Sequence, residues 1–289
     1  MISRERAFID NPVSNRSIDL PPLPAPSEAE VCQPGETANR ICRWSCAKCA
    51  LPLDRLLPLG LLGGFYIGLG AALATLATSE SSLGVGPTRW LGGIAFSLGL
   101  VLVVIGGAEL STGNCLMAIA RLRGLATSRH LARNWAWSFS ANAIGAFLLA
   151  WLVVSSGTYD SEPLRSVAIR IAETKLALTA PQAFLRGILA NVLVCLAVWL
   201  AMANQSAVGK FIGIVFPISA FVALGFEHSI ANLYLIPVGL MVGATGTLGD
   251  LAHNLIPVTT GNLVGGALVA AGLLWLGHGR PEARKRNGG

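Results

Sequence analysis

GFEHSIAN, residues 225–232, sets Glu227 and His228 in the middle of a stretch that is otherwise as apolar as a membrane span. A second stretch, GAELSTGN at 107–114, starts 118 residues upstream and shares its pattern, G-x-E-x-S-x-x-N. Further along, SANAIGAFL, with Asn142, Gly145 and Ala146, matches TGNLVGGAL, with Asn262, Gly265 and Gly266, at a spacing of 120. Self-similarity at a nearly fixed offset marks a duplicated architecture. Here each copy interrupts an apolar run with a carboxylate.

Of 289 residues, 53% are hydrophobic and 12% charged, against about 25% charged in an ordinary soluble domain. Charge-free runs cover 56–79, 90–108, 134–159, 187–209 and 254–277, and 211–249 is broken only by Glu227 and His228. A helix crosses the hydrocarbon core in about 20 apolar residues, so these runs predict six spans of a polytopic membrane protein.

Lys and Arg beside the spans set the orientation. Arg40, Arg43, Lys48 and Arg55 precede the first span, and Arg121, Arg123, Arg129 and Arg133 link the second to the third. Lys210 links the fourth to the fifth, and Arg280, Arg284, Lys285 and Arg286 close the chain. The opposite connections are mixed in sign, so both termini are expected in the cytoplasm and the chain in the cell (inner) membrane. The net charge of +6 is then a matter of topology and calls for no nucleic-acid partner. Residues 1–30 carry LPPLPAP and no apolar core, which predicts a disordered tail and no removable signal peptide.

With three spans in each half, the second half enters the membrane from the other side. Such inverted repeats belong to transporters and channels, whose matching spans are broken near the midplane. The breaks are expected in the second and fifth spans. Glu109 and Glu227 are then structural, each carboxylate accepting hydrogen bonds from the freed backbone N–H groups. His228 answers to Leu110 in the first half, so symmetry does not require an imidazole, and an intramembrane histidine is read as functional. The glycine-rich stretches 63–72 and 261–267 predict close helix packing.

The stretches GGFYIGLGA, GGIAFSLGLVLVVIGGAELSTGN, RNWAWSFSANAIGA, RGILANVLVCLAVWLA, AFVALGFEHSIANLYLIP and NLIPVTTGNLVGGA resemble, in order and spacing, the formate/nitrite transporter family. FEHSIAN with LIP, and NLIPVT, are more similar to its formate channels. The resemblance implies an all-α, aquaporin-like fold of six spans as two inverted three-helix repeats, assembled as a homopentamer with a pore in each protomer. The divisions are a tail 1–30, a cytoplasmic surface-helix region 31–55, a transporter domain 56–278 with repeats 56–159 and 183–278, and a basic tail 279–289.

By the same resemblance His228 is the central pore histidine, Thr112 its hydrogen-bonding partner and Lys175 the vestibule lysine, with Asn191 and Asn262 also placed at the pore. Leu100 and Phe221 match an outer apolar constriction, and Leu110, Ser111 and Val194 an inner one. Ser111 departs from the phenylalanine common in formate channels, which puts substrate size in question. The expected substrate is formate or a similar small monovalent anion, moving with protons. No catalytic residue, metal or cofactor is expected, and the chain is not read as an enzyme.

A bare anion crosses an apolar ring at high cost. Desolvation raises a carboxyl pKa by up to 3–5 units from about 4, which makes transient protonation at neutral pH accessible. Nitrite, hydrosulfide, lactate and acetate are alternatives within the same fold. An aquaporin-type channel lacks its paired N-P-A breaks here. Cys42, Cys46 and Cys49 follow C-x3-C-x2-C, and with Cys32 they raise a different reading, a metal- or cluster-binding redox protein. The few residues before the first span leave no room for the barrel such an enzyme needs. On a cytoplasmic tail the thiols are expected to be reduced.

Overall fold

The computed structural model describes residues 31–279. The expected tail 1–30, and all of the tail 279–289 beyond its first residue, lie outside the described residues. Among these, every regular element is helical, apart from one isolated bridge between Val31 and Asn204. In chain order they are α1 (Pro34–Cys49), α2 (Leu53–Ser79), α3 (Val85–Ile105), a 3-10 turn (Gly113–Met117) running into α4 (Ala118–Leu122), and α5 (Ser128–Ser155). Then come α6 (Glu162–Leu176), α7 (Ala180–Ala203), α8 (Ala207–Ala223), α9 (Ser229–Val242) and α10 (Leu248–Gly279). The last part of α10 widens to π-helix over Val264–Ala270 and Trp275–Gly279.

Five helices, α2, α3, α5, α7 and α10, are long and apolar enough to cross a membrane, while α8 and α9 are shorter apolar helices of 17 and 14 residues. The fifth expected span, 211–249, is therefore two helices. Side-chain caps fix several starts: Thr127, Ser206 and Thr247 accept from the N–H groups of His130, Gly209 and Asp250.

Within the first half α2 packs on α3 and α5, and within the second α7 packs on α8 and α10. The halves join through α3 against α8 and through α9 against α5. Within each half Gly145 and Gly265 set how closely the helices approach: a Cβ at either would collide with the carbonyl of Leu61 or Ile188 on the facing helix. These helices touch backbone to backbone, the usual arrangement where lipid gives no hydrophobic drive to association. Ile144, Phe147 and Trp151 of α5 and Leu268 and Leu273 of α10 stay exposed outside an apolar interior. A helix apolar on all sides suits a membrane.

The quoted repeats are where two helices stop. After α3 and α8 the chain turns at Gly107 (φ 84°) and Gly225 (φ 71°), a left-handed backbone that glycine adopts without strain. Ala108 N–H then bonds back to Val103 C=O at 2.9 Å, and Phe226 N–H to Phe221 C=O at 3.0 Å. The glycine that opens G-x-E-x-S-x-x-N is a helix stop in both copies.

Candidate functional site

Each break leaves backbone groups that water cannot reach, and two asparagines satisfy them. Asn142 Oδ1 accepts from Ser111 N–H at 2.9 Å, and its Nδ2 donates to the carbonyls of Gly60 (2.6 Å) and Glu109 (2.7 Å). Asn262 repeats the pattern, accepting from Ser229 N–H at 2.9 Å and donating to Gly187 C=O (2.8 Å) and Glu227 C=O (2.9 Å). The side chain expected at the pore at Asn262 is thus spent on backbone repair. Asn191 donates to Thr112 C=O at 3.2 Å and Asn262 C=O at 2.6 Å, tying α7 across both the first break and α10.

The glutamates do something other than expected. Neither carboxylate accepts from a backbone N–H among the described hydrogen bonds; each binds a lysine and an asparagine side chain. Glu227 takes Lys175 Nζ on both oxygens, at 2.9 and 3.0 Å, and Asn232 Nδ2 at 2.7 Å. Asn232 also donates to Asn254 Oδ1 at 2.8 Å, and Asn254 Nδ2 donates to Lys175 C=O at 2.8 Å, closing the ring. In the first half Glu109 binds Lys48 Nζ and Asn114 Nδ2, Asn114 donates to Asn134 Oδ1, and Asn134 Nδ2 reaches Lys48 C=O. Lys48 comes from α1 and Lys175 from α6, so the matched bonding extends beyond 56–159 and 183–278 into both short helices. Buried charge is tolerated here because it is paired and hydrogen-bonded.

Sequence reasoning missed Lys48, Asn134 and Asn254. Asn134 and Asn254 lie 120 apart, the same offset as Asn142 and Asn262, and that signal was available.

Between the two rings stands a polar pair that the symmetry does not repeat. Thr112 Oγ1 lies 2.9 Å from His228 Nε2. His228 is also the N-cap of α9, its Nδ1 accepting from Ala231 N–H at 3.2 Å. An accepting Nδ1 carries no proton, so the neutral ring holds its hydrogen on Nε2 and donates to Thr112. The threonine hydroxyl keeps its own hydrogen for another acceptor. Both groups are almost fully buried, at 4% and 2% exposure.

Two cavities lie on either side. One, of about 810 Å³, is lined by Phe96, Lys175, Arg186, Phe221, Glu227 and His228 among others. The other, of about 430 Å³, is lined by Trp44, Lys48, Leu100, Glu109, Leu110 and Lys210 among others. Leu100 and Phe221, expected in one outer ring, thus face different cavities. Leu100, Leu110, Val194 and Phe221 are all buried in one apolar cluster. Phe221 packs edge-on against Phe96, ring centroids 5.5 Å apart, and lies 6.0 Å from the His228 ring. Ser111 is buried beside them, and neither its hydroxyl nor that of its counterpart Ser229 has a partner.

The cysteines do not converge. Cys42 faces the interior below α1 while Cys46 and Cys49 are half-buried. Among the described residues no three His, Cys, Asp or Glu side chains could hold a metal ion. Burial pushes the thiols of Cys42 and Cys49 up to about 11.

The sequence profile named formate/nitrite transporter matches residues 35–276. The chain belongs to the formate/nitrite transporter family. It is a multi-pass membrane transport protein and not an enzyme. Among curated members of the family, a probable formate transporter of Methanothermobacter thermautotrophicus is 40% identical over 261 residues, 84% of this chain and 95% of that one. The formate channel FocA of Escherichia coli K12 is 35% identical over 240 residues, 75% of this chain and 84% of that one. Among solved structures, a pentameric formate channel with formate bound superposes with a TM-score of 0.71 at 33% identity, covering 78% of this chain and 96% of that one. An ion channel of the same family gives 0.77 at 26% identity, covering 85% and 99%.

Proposed function

We propose that the chain is one protomer of a homopentameric channel for formate or a similar small monovalent anion, each protomer enclosing its own pore. The observation that carries this reading is the Thr112–His228 pair, 2.9 Å apart and buried between two cavities that each hold a lysine. The likeness to a pentameric formate channel with formate bound supports both the substrate and the number of subunits.

In this account the fold is six spans in two inverted repeats, aquaporin-like, with the second and fifth spans broken at 106–112 and 224–228. The α1 end, with both termini, faces the cytoplasm of the inner membrane, and the α6 end faces out. The matched bonding of Asn142 with Asn262, and of Lys48–Glu109 with Lys175–Glu227, supports the inverted symmetry.

The anion enters the larger vestibule, drawn by its cations and by the N-terminus of α9. At the apolar cluster of Leu100, Leu110, Val194 and Phe221 it loses water, which raises its own pKa and favours the neutral acid. The proton comes from the aqueous side, because His228 gives up Nε2–H only by becoming an anion and takes a second proton only by releasing Ala231 N–H. His228 therefore positions Thr112, whose free hydroxyl hydrogen meets a substrate oxygen. Formate influx into proteoliposomes, against protein-free vesicles, tests the reading.

A second substrate class within the same fold, lactate or acetate, is favoured by one observation: Ser111 leaves a small, unpartnered hydroxyl in the inner constriction.

A further inference from the structure

The two Lys–Glu–Asn–Asn rings match, but the residues beside them do not. Glu109 N–H bonds to Leu59 C=O at 3.0 Å, and Glu227 N–H bonds to Arg186 C=O at 3.2 Å. Leu59 and Arg186 thus hold equivalent places, each on the wall of its own cavity. Where the smaller vestibule has an isobutyl group, the larger has a guanidinium.

Lys175 is spent. Both oxygens of Glu227 hold its ammonium, at 2.9 and 3.0 Å, so the pair adds no net charge to the vestibule. Arg186 has no such partner: among the described residues no carboxylate lies within ion-pair distance of it. Its one recorded hydrogen bond runs from Nη1 to Gly225 C=O at 3.4 Å, at the break just before His228. Arg89 and Arg170 also line this cavity, but they are exposed, where solvent and salt screen them.

We propose that Arg186, and not Lys175, is the cation that captures the anion in the larger vestibule, and that it selects planar monoanions with two oxygens on one face. A guanidinium has five N–H donors in a rigid fork. With one engaged by Gly225, the remaining edge fits a carboxylate or nitrite through two parallel hydrogen bonds. A spherical anion gains the charge and a shared acceptor, but not two parallel hydrogen bonds to separate oxygens. This inference rests on the functional reading above and adds to it the residue that sets substrate class.

The test compares wild-type protein with Arg186→Leu, Arg186→Gln and Arg186→Lys in proteoliposomes. Concentration dependence of formate and of nitrite influx is measured at low and at high salt. Leucine is the residue at the equivalent place in the other half; glutamine keeps a donor for Gly225 without the charge. Arg186→Leu and Arg186→Gln should raise the half-saturating concentration roughly tenfold, more than they lower the maximal rate. They should also flatten its salt dependence. Arg186→Lys should restore the salt dependence and only part of the affinity.

Unchanged half-saturation and salt response in Arg186→Gln would overturn the inference, as would a fall in maximal rate alone. If the wild type carries nitrite and not formate, the substrate reading fails while the comparison is still made with nitrite. If it carries neither, both fall.

Discussion

Thr112 and His228 come from opposite halves of the chain and meet at 2.9 Å, with His228 held from behind by Ala231 N–H at 3.2 Å. One imidazole thus caps the helix after a break and lines the larger cavity, and the two jobs can be separated. Asparagine caps a helix well but cannot reach as an imidazole does. His228→Asn should keep assembly and thermal stability while lowering anion flux. Thr112→Val, which removes the acceptor and keeps the shape, should lower flux roughly tenfold. Size-exclusion elution with flux in the same preparation checks both; loss of the oligomer in His228→Asn would mean that the ring matters chiefly for folding.

Asn142 and Asn262 each satisfy three backbone groups at a break. Replacing either by alanine strands those groups out of reach of water, at a cost of about 3 kcal/mol or more. A clear fall in melting temperature in detergent is expected for each variant. A stable Asn262→Ala with altered flux would instead return that residue to the pore.

For the buried pairs, removing one partner should do more harm than removing both. Lys48→Met leaves Glu109 charged and unpaired, which costs about 3–5 kcal/mol by comparison with other buried pairs. Lys48→Met with Glu109→Gln should recover part of that loss. Melting temperatures of the four members of the double-mutant cycle measure it, and strictly additive effects would contradict the pairing.

How much of this was open to the sequence depends on what each residue does. Apolar run length and the repeated G-x-E-x-S-x-x-N stretch located both breaks, because a helix stop needs its glycine and a buried carboxylate is rare. The partners of those carboxylates were hidden, since Lys48 and Lys175 sit in short helices that packing alone brings to the glutamates. Arg186 carries no signal of its own in the sequence pattern; the backbone bond to Glu227 shows that it answers to Leu59. The division of Leu100 and Phe221 between two cavities is likewise a matter of three-dimensional placement.

Burial holds the thiols of Cys42 and Cys49 at about 11, above the ordinary 9.0. A raised pKa keeps the neutral thiol, so at pH 8 these residues should alkylate roughly a hundredfold more slowly than exposed cysteines, the rate rising as pH approaches 11. Maleimide labelling followed by mass spectrometry checks this. Fast labelling at pH 7 would point to a reactive thiolate and reopen the redox reading.

Ser111→Phe should narrow the inner constriction and cut lactate flux more than formate flux. Parallel uptake of the two labelled anions checks it, and an equal fall for both would place Ser111 outside the constriction.

The most direct measurement is formate entry into proteoliposomes of the purified protein, recorded with internal pH and set against nitrite and lactate at several external pH values. The account predicts fast, saturable formate entry with internal acidification, faster at lower external pH. No entry above protein-free vesicles, or entry of lactate or nitrite in its place, would contradict the formate assignment; formate entry without acidification would contradict passage as the neutral acid.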